Sequence, residues 1–355
     1  MAEYSLSEDF MPEKITACYR IVTPMFIGDA NQEANGISPN SVKGALRFWW
    51  RALNWGLLLQ EAQDNEEIAE DNKEAAALRE LHAQEAKLFG SLAEMVESKQ
   101  EGGQGVFLLR VVSQNNLKIL HDWPLATSFS GYLGMGLWES GNRERGNYQP
   151  HRQALEEGQD FSVELLLKPT ISDGDKKALA DTLKAWGWFG GLGSRVRRGF
   201  GSIALEQLNE NDMVFAITDD YVNATKLLLT DYAVNNAKPP YTAFSSQTML
   251  GLAATKSNAR SAHDELGRLF KSYRGSLRGS RKRVFGMPYS GGTPEEAEAR
   301  RASPLIFHVH PIANKYKGLV LSLPAVFYHK ESLQKVDDEL LSGFIKQLQE
   351  VSLWT

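Results

Sequence analysis

The residues best suited to chemistry stand in one stretch, Gly190-Gly191-Leu192-Gly193-Ser194-Arg195-Val196-Arg197-Arg198-Gly199-Phe200-Gly201. Glycine tolerates φ > 0 and lets a backbone approach a ligand closely. Arg195, Arg197 and Arg198 have no neighbouring acid and offer planar forks that match phosphate oxygens. With the main-chain N–H groups around Gly191, Gly193, Ser194, Gly199 and Gly201, they predict a seat for an RNA backbone. Dinucleotide-binding and Walker-type phosphate loops need a strand before the glycines and a helix after them. Here a helical pattern precedes, a strand pattern follows, and no Gly-Lys-Ser/Thr triplet is present, so both are excluded. From the glycines alone, a helix-to-strand connection with solvated arginines stands as the alternative.

A second basic group comprises Arg268, Lys271, Arg274, Arg278, Arg281, Lys282 and Arg283, with no acid between Leu266 and Thr293. Beside Gly275, Gly279 and Ser280 it reads as a segment that seeks phosphate or an acidic neighbouring protein. A third candidate is the i, i+4, i+8 stripe of Lys43, Arg47 and Arg51, against the alternative of a solvated helix face whose stems cover apolar surface. Trp49, Trp50, Trp55, Trp186, Trp188 and Phe189 could stack bases, but they fall on apolar helix faces and read mainly as core. His308 and His310 point to one side of a strand. Nothing at readable spacing completes a metal site or an acid–base pair with them, so they read as structural, and no cofactor or metal is expected.

The formal net charge is −5, which by itself argues against a polyanion partner. The distribution reverses that. Between Glu61 and Glu101 twelve acids face Lys73, Arg79, Lys87 and Lys99, a segment charge of −8 that leaves +3 for the rest of the chain. Phosphate responds to local patches, not to the total. One cysteine, Cys18, excludes an internal disulfide and a cysteine-rich zinc site. No apolar run approaches membrane length, and Met1 to Glu13 lacks an export pattern. A cytoplasmic protein is expected.

The elements that must carry these residues follow from periodicity. Lys14–Phe26 reads as a strand. Ser38-Pro39 is a helix start, followed by Val42, Leu46, Trp49, Trp50, Leu53 and Leu57 at helical spacing. Glu74–Met95 reads as an acidic helix, Val106–Val112 and Phe161–Leu167 as strands, Leu125–Gly158 as loop or hairpin, Asp173–Phe189 as a helix, and Gly201–Leu205 as the start of a strand. With the acidic helix set aside as an insertion, the order is β-α-β-β-α-β, the ferredoxin-like plan shared by RNA-recognition domains. Residues 1–207 are therefore expected as one ferredoxin-like domain and 208–355 as a second, degenerate one, an α+β chain overall. In the second half Thr248–Ala254, Pro304–His310 and Leu319–Leu323 read as strands, Ala259–Tyr273 and Glu331–Val351 as helices, and Ser290–Arg300 as a surface loop. That order does not reproduce the first half.

Gly191-Leu192-Gly193, five residues, then Gly199-Phe200-Gly201 resembles the paired Gly-hydrophobic-Gly loop of the RAMP superfamily. Thr23-Pro24-Met25-Phe26 and Lys43-Gly44-Ala45-Leu46-Arg47-Phe48-Trp49-Trp50-Arg51 look like the first subunits of Cmr (type III-B) CRISPR complexes. Tyr132-Leu133-Gly134-Met135-Gly136 and Arg301-Ala302-Ser303-Pro304-Leu305 are consistent with that family. The resemblance spans segments from about residue 23 to 324. It implies two ferredoxin-like domains and a noncatalytic subunit of a guide-RNA-directed antiviral assembly. Such a subunit sits at the end holding the 3′ side of the guide and touches guide RNA, single-stranded target RNA or both, among other Cmr subunits. Two alternatives stay open: a metal-independent endoribonuclease that processes precursor CRISPR RNA, and a scaffold that touches only protein. On the leading reading, the glycine loop, the first-helix stripe and the second basic segment form one channel, with the acidic segment facing elsewhere.

Overall fold

The computed structural model describes residues 12–29, 31, 33–96, 99–112, 114, 117–137, 152–232, 236–287, 298, 300–326 and 331–353. Most of the expected loop at Ser290–Arg300, the middle of Leu125–Gly158 and most of the N-terminal segment lie outside the described residues.

The first half is built on β1 (Lys14–Ile21), β4 (Phe107–Val112), β7 (Asp160–Leu167) and β8 (Ile203–Leu208), with the short β9 (Asn211–Asp212) at one edge. The sheet order is β4-β7-β1-β8-β9, and every neighbouring pair is antiparallel. Alternation in β1 and β7 is strict, so one face is buried and the other half-open. The buried face carries α1 (Pro39–Asp64) and α4 (Asp173–Phe189). Ser38 caps α1 by accepting from the Ser41 amide, with Pro39 in the first turn, and Ser172 caps α4 by accepting from the Asp175 amide. Each cap satisfies an amide that the helix start leaves without an internal partner. Trp49, Trp50, Trp55, Trp186, Trp188 and Phe189 are all buried in this core, so none of the six faces a ligand.

The acidic segment corrects one expectation. Its helix, α2 (Lys73–Phe89), ends at Gly90, whose φ of 83° is left-handed, and the chain continues as a hairpin of β2 (Gly90–Val96) and β3 (Lys99–Gln104). The helix therefore stops before Met95. β5 (Ile119–Leu120), α3 (Phe129–Leu133) and β6 (Ala154–Leu155) are short connecting elements.

The second half corrects another. After α5 (Thr218–Thr230), which packs on the first core through Tyr221, Leu228 and Leu229, come β10 (Met249–Lys256), α6 (Ala259–Ser276), β11 (Leu305–Ile312), β12 (Lys315–Ser322), α7 (Glu331–Ile345) and β13 (Gln349–Val351). The order β-α-β-β-α-β recurs, and the sheet order β11-β12-β10-β13 matches β4-β7-β1-β8 position for position. The expected helix over Glu331–Val351 conceals the last strand, because three residues are too short to show a period of two. The boundary expected at 207/208 falls inside β8.

The second sheet is covered on both faces, and β11 and β12 are accordingly buried along most of their length. Ile306, Leu319 and Leu321 join the core of the first half, while Leu305, Phe307, Val309 and Val320 pack toward α6 and α7. The glycine-rich loop sits at this junction. Among the described residues no helix is long and apolar enough to cross a membrane.

Candidate nucleic-acid interface

The glycine loop leaves α4 at Gly190 and folds back on itself. The Leu192 amide donates to the Gly201 carbonyl (2.9 Å), Ser194 to Phe26 (2.7 Å), Gly201 to Pro24 (2.9 Å), Arg198 to Arg195 (2.7 Å) and Gly199 to Val196 (3.1 Å). These amides bind the loop's own surroundings, so the expected cradle of free N–H groups around Ser194, Gly199 and Gly201 is not formed. The glycines are required by self-contact: a Cβ on Gly191 would lie 2.3 Å from the Gly201 carbonyl oxygen, and one on Gly193 2.5 Å from that of Phe26. Gly201 combines φ of 59° with a Cβ position 2.0 Å from the Leu192 oxygen. Gly201→Ala is expected to cost at least about 2 kcal/mol, from left-handed strain plus the clash. Gly44→Ala, in the open interior of α1 with nothing near its Cβ, is expected to stabilise by about 0.5–1 kcal/mol. Urea midpoints of the two variants check both signs.

The loop is anchored to the second half by buried polar groups. Phe307 donates its amide to the Arg197 carbonyl (3.2 Å). His263, in α6, has Nε2 at 2.8 Å from the Arg198 carbonyl and Nδ1 at 2.9 Å from the Ser130 hydroxyl. A carbonyl only accepts, so Nε2 carries the proton and Nδ1 accepts from Ser130. His308 meets the Gly190 carbonyl through Nδ1 (2.9 Å) and His310 Nδ1 through Nε2 (3.2 Å). The same logic makes both rings neutral Nδ1–H tautomers. Burial pushes the pKa of His263 down to about 4 and that of His308 to about 3, and His310 is lowered by burial and by His308. The His308/His310 pair is thus a core element, as expected from its strand spacing.

This anchoring brings the arginines to a cleft of about 600 Å³ between the two halves. Arg195, Arg197 and Arg198 line it from the loop, Arg274 and Lys282 from the second basic segment, and Arg301 from the approach to β11. Among the described residues no acid lines it. Arg198 forms its floor, with its guanidinium 4.7 Å from the Phe270 ring centroid and 5.5 Å from that of Phe307, and with Nη2 donating to the Phe285 carbonyl (2.7 Å). Its Nη1 is shielded from solvent and has no hydrogen-bond partner among the described residues. Burial first, then repulsion from Arg274 and Arg195, lowers its pKa to about 10. Burial and Arg301 lower that of Arg197 to about 10 as well. Both remain charged at neutral pH, crowded among like charges.

The sequence matches the RAMP superfamily over residues 19–204, more than half of its length. The chain belongs to the RAMP superfamily. It is homologous to the CRISPR system Cmr subunit Cmr1-1 of Pyrococcus furiosus, with 26% identity over 364 residues that cover 95% of this chain and 94% of that protein. Its fold is similar to the crystal structure of apo Cmr1 from Pyrococcus furiosus, at TM-score 0.62 and 21% identity over 96% of this chain and 99% of that one. A chain in a cryo-EM structure of a type III-B Cmr-beta complex bound to cognate target RNA and AMPPnP is similar at TM-score 0.56 and 12% identity, over 95% and 99% of the two chains.

In this RAMP chain the predicted site residues separate into groups. Arg195, Arg197, Arg198, Arg274 and Lys282 meet in the cleft. Lys271 lies beside it over the rings of Phe129 and Tyr132, and Arg278 and Arg281 are exposed. Arg283 departs from expectation: it is buried and paired with Asp337 of α7 at 3.4 Å. Arg268 pairs with Glu265, one turn earlier and just outside the acid-free run. Lys43, Arg47 and Arg51 do not join the cleft. Arg47 and Arg51 converge on the buried Glu85 of α2. Burial alone would raise the Glu85 pKa, but hydrogen bonds from Arg51 and Arg47 hold it below the ordinary value. What α1 brings toward the loop is Phe48, 5.0 Å beneath the Arg197 guanidinium. The acids of α2 stay away from the cleft lining, as expected.

Three site residues, His263, Tyr132 and Arg301, are not among those that the sequence singles out by charge or spacing. Tyr132 accepts from Arg274 (3.0 Å), and Gly136 gives the Arg195 side chain room, since a Cβ there would lie 2.9 Å from its Nη2. Tyr132 and Arg301 do stand in segments that carry the family resemblance. His263 has no such signal.

Proposed function

We propose that the chain is a noncatalytic RNA-binding subunit of a guide-RNA-directed type III-B Cmr complex. In this reading it has two ferredoxin-like units, the first running through β9 and the second from β10, and its cleft holds a single strand by its phosphates. In this reading it sits at the 3′ side of the guide, as the resemblance implies, and touches guide or target RNA. One observation carries the reading: six cations from both halves line a cleft that has no acid among the described residues. Guanidinium groups match phosphate oxygens geometrically, and mutual repulsion makes an incoming anion more favourable. Binding of this kind follows the backbone more than the base sequence. His308 and His310, the pair that an endoribonuclease reading would use, are buried and neutral, whereas a general acid or base must reach the substrate.

Anisotropy titrations with labelled single-stranded RNA over a salt series test it. Each phosphate that the chain no longer neutralises should reduce the slope of log affinity against log salt by about 0.7. Arg195→Ala with Arg274→Ala is therefore expected to flatten the slope by about 1.4 and to weaken binding. The RNA should be recovered intact, with or without Mg²⁺. An unchanged slope in a folded double variant rejects the cleft as the phosphate site, and cleavage that follows the chain through purification rejects the noncatalytic role.

A further inference from the structure

Residues Gly193 and Ser194 line a second pocket, of about 380 Å³, while the next residue, Arg195, lines the cationic cleft. Successive Cα atoms lie about 3.8 Å apart, so Ser194 in one pocket and Arg195 in the other put the two within reach of one nucleotide. Their chemistry differs. The second pocket contains a carboxylate, Asp29, and a guanidinium, Arg152, beside Ser41, Gln153 and Ser194, over apolar atoms of Phe26 and Ile27. Arg152 donates to the Ser194 hydroxyl (2.7 Å), and its charge is felt by Arg195. Asp29 is fixed by its own loop, accepting from the amides of Asn31 (2.7 Å) and Glu33 (3.1 Å) and from the Asn35 side chain (2.7 Å). Those bonds, Glu33 first, lower its pKa and keep it an anionic acceptor. A carboxylate has roughly four lone-pair sites, and here three are engaged.

A fixed carboxylate repels phosphate, whereas a paired donor and acceptor of hydrogen bonds suits a nucleobase edge. We propose that this pocket receives one base of the strand whose phosphate occupies the cationic cleft, and that guanine fits it best. Guanine offers N–H donors to Asp29 and the N7 and O6 acceptors to Arg152. The inference rests on the phosphate reading of the cleft and adds a point of base recognition to it.

The test uses oligouridylates of one length carrying a central guanosine, adenosine, cytidine or no substitution. These are titrated against the full chain, Asp29→Asn and Arg152→Gln, each at several salt concentrations. The wild type is expected to favour the guanosine oligomer by about tenfold, the worth of one charge-assisted hydrogen bond. Each variant should shrink that preference and leave the oligouridylate affinity largely in place. Asp29→Asn should keep the salt slope. Equal affinities in the wild type, or a preference that survives both variants, overturns the base pocket while the cleft reading stands. Failure of every oligomer to bind removes the cleft reading and this one with it.

Discussion

Lowering the pH from 7 to 5.5 is expected to destabilise the fold steeply. His263, His308 and His310 are fully enclosed, with pKa values of about 4, about 3 and well below the ordinary value. In the unfolded chain each titrates near 6.5. Between these values the unfolded state binds protons that the folded state refuses, so stability falls as pH falls through 6.5 and is fully present above it. Three such groups give about 4 kcal/mol lost between pH 7 and 5.5. A domain holds only about 5–15 kcal/mol. Urea midpoints at pH 7.5, 6.5 and 5.5 measure the slope, and a flat profile across that range refutes the assignment. His263→Gln should remove about one third of the slope, since one proton of the three no longer counts.

That pH dependence bears on the site because of where the rings sit. His263 holds the Arg198 carbonyl, and His308 holds that of Gly190. A proton on His308 Nε2 would meet the Nδ1–H of His310, 3.2 Å away, so the pair charges only if His310 moves its own proton to Nε2 or the rings separate. These two carbonyls bracket the glycine loop. The loop's shape, and with it the convergence of Arg195 and Arg198 with Arg274, depends on rings that must stay neutral.

The parts of the fold that are legible in the sequence are those set by local chemistry. Ser38-Pro39 announces its helix because a capped amide is a short-range event, and α4 has the bounds that its periodicity predicts. The glycine loop is legible as a place needing left-handed and close-packed backbone, but not which backbone would be close. A sequence shows the need for space at Gly201 and not that Leu192 fills the opposite side. Charged residues are the least legible. Arg47 and Arg274 look alike in sequence, yet one meets Glu85, thirty-eight positions away, and the other lines the cleft. The repeat of the first half in the second is hidden by a three-residue strand, whose pairing with β10 depends on tertiary structure.

Arg283 is the clearest case of a basic residue held in a buried ion pair, and removing Asp337 should show a structural role. Its guanidinium and the Asp337 carboxylate are 8% and 3% exposed and lie 3.4 Å apart, joining the basic segment to α7. Deleting one member of a buried pair costs about 3–5 kcal/mol. Asp337→Ala is therefore expected to lower the stability read from urea unfolding by that amount. Replacing both charges by apolar side chains of similar size, Arg283→Met with Asp337→Leu, should restore most of it, because the desolvation cost of the pair disappears together with its attraction. The double variant should also bind single-stranded RNA with the wild-type salt slope. Lys282→Ala, one residue away but in the cleft lining, should lower that slope by about 0.7. If the double variant reduced the slope as much as Lys282→Ala while remaining folded, Arg283 would be an RNA-binding residue, and its burial beside Asp337 would have to open when the strand binds.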